Sequence, residues 1–190
     1  MLIIPKNDYK VLNYMQSQWQ KFVERYAQSV KLSTQYDPEW PSACLIDDVS
    51  TLTEGEVVTW GPVARPLNAM TEFTDALGIT LPPSLNDFYS AFYADHLTVN
   101  LAQGDISLLQ AWNADDFARW QENLIGHVLM KRRLKQAETL FIGLPSNDDY
   151  LISVLLSTGE VVLEPVGKPP QDIIASDMNQ FIALCHDSIS

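Results

Sequence analysis

Basic residues are scarce in this sequence: its 190 residues hold 12 Lys and Arg against 24 Asp and Glu, a formal net charge of −12. A field of that sign repels phosphate backbones and anionic lipid headgroups, and it attracts lysine- and arginine-rich surfaces over roughly 8–10 Å. Nucleic acid is therefore not expected as a primary partner, nor is direct insertion into lipid. Cysteine is scarcer still. Cys44 and Cys185 have no paired spacing, which argues against a disulfide framework or a zinc ribbon and for two buried thiols in a reducing cytoplasm. Long apolar runs are missing as well: Leu151 to Leu156, LISVLL, falls far short of the ~20 apolar residues of a spanning helix. The opening MLIIPKND has only three apolar residues after Met1 before Pro5 and Lys6, too few for a secretion signal. A soluble cytoplasmic protein is expected, with no internal repeat, linker or low-complexity run.

What the chain does have is core-forming material. With 46% hydrophobic residues, 5 Trp, 7 Tyr and 7 Phe, it is too apolar and aromatic for a disordered chain. Its size suits one domain over residues 1–190, with an N-terminal helix within 1–35 packed on the core. The charge is unevenly placed. From Leu32 to Ala118 thirteen acids face one base, Arg65, whereas the rest of the chain balances.

Asn7 to Leu32 has Val11, Tyr14, Met15, Trp19, Phe22, Val23 and Tyr26 returning at three- and four-residue steps, the period of an amphipathic helix. Glu56 to Trp60 reads as a short strand ended by Gly61 and Pro62. A helix over Asn68 to Leu77 should stop at Gly78, and Leu81 to Tyr93 reads as a proline-led helix with Ser84 as candidate cap. Leu97 to Leu101 and Ile106 to Gln110 suggest a hairpin around Gly104. After a helix from Asp115 to Lys135, three more strands follow: Thr139 to Leu144, Tyr150 to Leu156 and Glu160 to Glu164. A last helix, Ser176 to His186, turns Met178, Phe181, Ile182 and Cys185 inward. About six strands with helices around them predict an α+β fold with a mostly antiparallel sheet.

The Asp115 to Lys135 helix concentrates the chemistry. Asn113 is placed to cap it, Asp115 and Asp116 stand in its first turn, and Lys131, Arg132, Arg133 and Lys135 stand in its last. Each charge so placed suits the helix dipole by roughly 0.3–1 kcal/mol, so helix design alone explains the polarity. Asp115 and Arg119 also have i,i+4 spacing. His127, like His96 and His186, has no nucleophile elbow or paired zinc-ligand histidine with it and reads as a packed or capping residue. Asp47 with Asp48, and Asp148 with Asp149, read as solvated turn acids. Gly159 to Lys168 has the wrong spacing for a phosphate loop. No enzyme, metal site or cofactor is expected.

The run GDISLLQAWNADDFARWQENLIGHVLMKRRLKQAETLFI, Gly104 to Ile142, closely resembles the Syd family of bacterial SecY-interacting proteins. WNADDF, QENLIGH, MKRRLK and TLFI are its most specific parts. Weaker agreement extends to PSACLI (Pro41 to Ile46), VTWGPV (Val58 to Val63) and the last helix, and the N-terminal helix matches in type only. The resemblance implies a SUKH-superfamily fold with no catalytic activity. It also implies an acidic concave surface that docks on the cytosolic loops of the SecY channel, holding the protein loosely on the cytoplasmic side of the inner membrane. There it would sequester or quality-check SecY, or restrain the translocase. Charge agrees, because cytoplasmic loops of inner-membrane proteins carry excess Lys and Arg while the surrounding lipid is anionic.

The candidate partner-binding residues are Asp105, Asp115 and Asp116, followed by Glu54, Glu56 and Asp95. Helix initiation serves Asp115 and Asp116 equally well. Asn123, Gly126 and His127 are read as packing at the sheet. A SUKH-like binder of immunity type, directed at a soluble basic partner, shares the expected fold and acidic face; a metal-dependent hydrolase using paired acids is a third reading.

Overall fold

The computed structural model describes residues 17–65 and 69–189. In chain order its elements are α1 (Gln18–Ser29), β1 (Ser33–Gln35), β2 (Val57–Thr59), β3 (Val63–Ala64), α2 (Thr71–Leu77), α3 (Pro83–Ser90), β4 (Phe92–Tyr93), β5 (Leu97–Leu101) and β6 (Gly104–Leu108). They continue with α4 (Ala114–Arg133), β7 (Thr139–Pro145), β8 (Tyr150–Leu155), β9 (Val161–Pro165), β10 (Asp172–Ala175) and α5 (Met178–Ser188). The fold is α+β, with an antiparallel six-stranded sheet in the order β10-β9-β8-β7-β6-β5.

Local signals decide where the helices begin. The Ser17 hydroxyl accepts from the Gln20 N–H, and the Gln20 side chain accepts from the Ser17 N–H, a reciprocal cap on extended backbone that starts α1 at Gln18. Of the helix expected over Asn7 to Leu32, the described part runs from Gln18 to Ser29; Val11, Tyr14 and Met15 lie outside the described residues, as does Asn68. Trp19, Phe22, Val23 and Tyr26 are buried, as their period predicts. In α3 the expected cap Ser84 makes no cap bond. Pro82 occupies the cap position and Pro83 opens the helix, where a residue without an N–H leaves one fewer unpaired donor.

The count of six strands holds, but the membership differs from expectation. The Glu56 to Trp60 segment supplies β2, which pairs only with β1 outside the main sheet. The sixth place belongs to β10, whose short DIIA sequence follows Pro169 and Pro170 and carries no alternation to read. The β5–β6 hairpin is tighter than expected: Leu101 faces Gly104 directly, and Gly104 adopts φ +93° to close the two-residue turn. A bulge between Phe141 and Gly143 disturbs β7. A Cβ on Gly143 would sit 3.1 Å from Ile106 and 3.2 Å from the Ser107 carbonyl, so β6 approaches there because the residue is glycine. With a second bulge in β10, these irregularities curl the sheet, and α5 packs against both edge strands, β5 and β10.

Leu140, Val154 and Val161 are in cross-strand register and fully buried on one face of the sheet. Alternation puts Thr139, Phe141, Ser153 and Glu164 on the other, where α4 contacts the sheet. Lys131 of α4 stands in the last turn as expected, and it is fully buried. Its Nζ lies 2.5 Å from Glu164 Oε1, itself on a fully buried side chain, and donates to Gln136 Oε1 (3.0 Å) and to the Lys168 carbonyl (2.7 Å). A lysine so deep in the fold must have all three donors met, because an uncompensated buried charge is very costly. His127, one turn earlier, has Nε2 at 2.8 Å from Thr139 Oγ1 and 3.6 Å from Glu164 Oε1. Arg132 does stay near the surface, with two bonds to Glu138 and one to the Leu77 carbonyl.

Removing either member of the buried pair should strand the other charge. Lys131→Met or Glu164→Gln alone is expected to cost about 3–5 kcal/mol in urea unfolding, and the double variant Lys131→Met/Glu164→Leu to recover most of it. A second expectation concerns pH. Burial, reinforced by Lys131 and opposed by Glu164, holds His127 below its ordinary 6.5, and burial with the nearby Arg25 does the same to His186. Both rings stay neutral in the folded chain while the unfolded chain takes up protons. Their contribution is therefore complete above pH 6.5 and is lost as the pH falls from there through the lower folded values. His127→Gln should flatten this slope in unfolding curves measured on either side of 6.5.

Candidate functional site

The site grows from the first turn of α4. Asn113 accepts from the Asp116 N–H at 2.9 Å, as the sequence suggests, and the Asp116 carboxylate accepts the Trp112 N–H at 2.8 Å. The same turn holds the preceding loop in place: Trp112 Nε1 donates to the Trp40 carbonyl, Asn113 Nδ2 to the Pro41 carbonyl, and Ser42 Oγ to the Trp112 carbonyl. Arg119 does not turn to Asp115 despite their spacing. Its guanidinium stacks over the Trp40 ring, 4.3 Å from the centroid.

This clasp shapes a pocket of about 270 Å³ between the loop after β1 and the start of α4. Asp37, Asp95 and Asp116 line it together with His96, Trp40 and Trp112, and no Lys or Arg does. The one base of the acidic segment, Arg65, is withdrawn from the surface. Arg65 is 7% exposed, stacked between Phe117 (3.6 Å) and Tyr93 (4.5 Å), and donates to the Tyr89 carbonyl. Burial lowers its pKa.

A second and larger space, about 580 Å³, continues from the first between α4 and the sheet. His96, Gln110 and Asp116 border both. The wall of the second is apolar, built by Leu109, Trp120, Met130, Phe141, Leu144 and Leu151. Asn123 and Gly126, expected to pack at the sheet, are exposed and line this cleft. His127 does pack there, with its ring edge-on to Phe141 at 5.5 Å. His96 accepts the Gln110 N–H on Nδ1 at 3.1 Å.

The structure brings together only some of the six acids singled out from the sequence. Asp95 and Asp116 line the acidic pocket. Asp115 is exposed beside it in the first turn of α4. Asp105 accepts from Asn100 at 2.6 Å and lines a shallow depression that shares Leu144 with the apolar cleft. Glu54 and Glu56 lie in the turn before β2, where Glu56 accepts the Thr53 N–H at 2.8 Å, and line neither space. Asp37 was missed: it sits in a DPE turn, accepting the Glu39 N–H, and local sequence marks the turn but not the pocket it faces.

The remaining chemical groups have structural roles. Asp47 accepts the Thr59 N–H, and Asp48 accepts that of Ser50, a bond that lowers its pKa. Among the described residues, no group of three His, Cys, Asp or Glu is placed to hold a metal ion. Both cysteines are buried, and burial pushes the Cys185 thiol up to about 12. No described helix is long and apolar enough to cross a membrane.

Comparison with known proteins gives a consistent result. The family model described as Syd protein (SUKH-2) matches residues 11–186. The chain is 41% identical over 162 residues to Protein Syd of Pseudoalteromonas atlantica, covering 85% of this chain and 86% of that one. It is 41% identical over 170 residues to Protein Syd of Alteromonas mediterranea, covering 87% and 92%. With Protein Syd of Colwellia psychrerythraea the identity is 33% over 186 residues, 94% of this chain and 92% of that one. The α+β fold, the capped WNADDF turn and these matches together show that the chain belongs to the Syd family.

Proposed function

We propose that this chain is a non-catalytic cytoplasmic protein that binds basic cytosolic loops of the SecY channel through its acidic face. By holding SecY it would sequester or quality-check the channel, or restrain the translocase. The observation that carries this reading is the acidic pocket: three carboxylates converge at the family's most specific motif with no cation lining it. Cytosolic loops of membrane proteins supply the complementary charge, and anionic lipid repels the same face. The protein would thus reach the inner membrane through its receptor and not through the bilayer. A single domain over 1–190 fits this role, since buried residues from Trp19 to Cys185 join in one core that holds the face rigid.

Asp95 and Asp116, with Asp37, are the acids placed for direct contact. Asp105 and Asp115 flank them, and Glu54 and Glu56 add to the field that steers association. The same face on a SUKH-like immunity protein would meet a soluble basic partner. Capture of such a partner from extract, with no SecY, would favour that alternative.

Binding is tested with nanodiscs containing SecY and with empty discs of the same lipid, at low and high salt. Binding to the SecY discs alone, weakened by salt, is expected; equal binding to both discs, or to neither, refutes the reading. Asp37→Asn/Asp95→Asn should weaken this binding and its salt dependence while leaving thermal unfolding nearly unchanged. Asp116→Asn should weaken binding and also cost roughly 0.3–1 kcal/mol of stability, because its carboxylate serves the helix start as well.

A further inference from the structure

We propose that the apolar half of the cleft is a second recognition pocket for the same partner: the docked segment carries a bulky aliphatic or aromatic side chain beside its basic residues, and that side chain enters between α4 and the sheet. The inference rests on the reading that a basic protein segment occupies the acidic pocket. Continuity is the first support, since His96, Gln110 and Asp116 border both spaces. A segment held by the carboxylates is thereby led along Trp120 and Phe141. At the rim, Leu144 and Val166 are 41% and 55% exposed, large apolar side chains left next to an apolar groove. Arg119, the arginine bordering the groove, is stacked on Trp40.

Gly126 adds an independent point. It sits inside α4, where glycine is a poorer helix former than alanine, yet a Cβ there would meet nothing within 4 Å. No packing contact requires it. At the wall of the cleft it leaves room for a guest side chain. The walls are also preformed, because α4 is clasped at its start by the Trp40 loop and at its end by Lys131, so little ordering is required on binding. Charge selects the class of occupant. Lipids and nucleic acids would bring phosphates against Asp37, Asp95 and Asp116, and a purely basic peptide would leave Trp120 and Phe141 uncovered. A protein segment of mixed basic and apolar character satisfies both halves.

The test uses two short lysine- and arginine-rich peptides of equal charge, one with phenylalanine and one with serine at the same central place, together with the SecY nanodiscs. The wild-type protein is expected to bind the phenylalanine peptide about tenfold tighter, a preference that persists at high salt because it comes from apolar burial. Leu144→Ser/Val166→Ser should abolish that preference. Gly126→Leu, which fills the groove, should do so while leaving the fold as stable or more so, and both variants should lose about tenfold on the SecY discs. Equal affinity for the two peptides overturns the inference. So does unchanged binding of both variants to discs that the wild type binds, which leaves the SecY reading standing. If the wild type fails on the discs, the SecY reading falls and the peptide pair alone decides this one.

Discussion

The geometry depends on how α4 is fixed to the sheet, and the contact that fixes it is the buried Lys131–Glu164 pair. A charge at that depth tolerates one arrangement, since any sliding of α4 along β7 to β9 would part the ammonium from both the Glu164 carboxylate and the Lys168 carbonyl. Such a pair is a poor source of net stability, because desolvation offsets most of the attraction. Among the described residues neither carboxylate oxygen of Glu164 has a partner in hydrogen-bond geometry, Oε1 meeting Lys131 as an ion pair only, which fits a pair that specifies position more than it stabilises. His127 adds a neutral ring to the same network, and its edge contact with Phe141 carries the packing from the ion pair to the wall of the cleft.

With its end anchored, α4 is aligned at its start by a different kind of interaction. The side chains of Trp112, Asn113 and Ser42 donate to backbone carbonyls across the Trp40 loop, and the Asp116 carboxylate accepts the Trp112 N–H just before the helix. Asp116, whose N–H meets the Asn113 cap and whose carboxylate holds Trp112, also borders both halves of the cleft, so helix initiation and surface chemistry converge on one residue. The burial of Arg65 between two aromatic rings completes the arrangement. Arg65, the one base of the acidic segment, instead serves the interior, and none of the residues lining the acidic pocket is a Lys or Arg.

Most of the secondary structure was legible because its causes are local. The three-four period of Trp19, Phe22, Val23 and Tyr26, the Asn113 cap, Gly78 after α2 and the turn glycine of the β5–β6 hairpin each act within a few residues. What escaped was set by distant partners. DIIA becomes β10 because β9 offers an unpaired edge, and Glu56 to Trp60 leaves the main sheet because β1 pairs with it first in space. Lys131 reads only as a last-turn cation suited to the helix dipole until Glu164, far along the chain, is brought beneath it.

The same division holds for the candidate site. The sequence by itself determined the sign of the surface, the family-specific capped helix and the absence of any recognised catalytic motif, because composition and short motifs carry that information. Only the tertiary structure decided which acids meet. It gathered Asp37, Asp95 and Asp116 from three separate segments into one pocket, left Glu54 and Glu56 outside it, and set an apolar groove beside them. Side chains far apart in sequence become neighbours only when long-range strand pairing and a buried ion pair fix one helix over one sheet, and no local pattern records that distance.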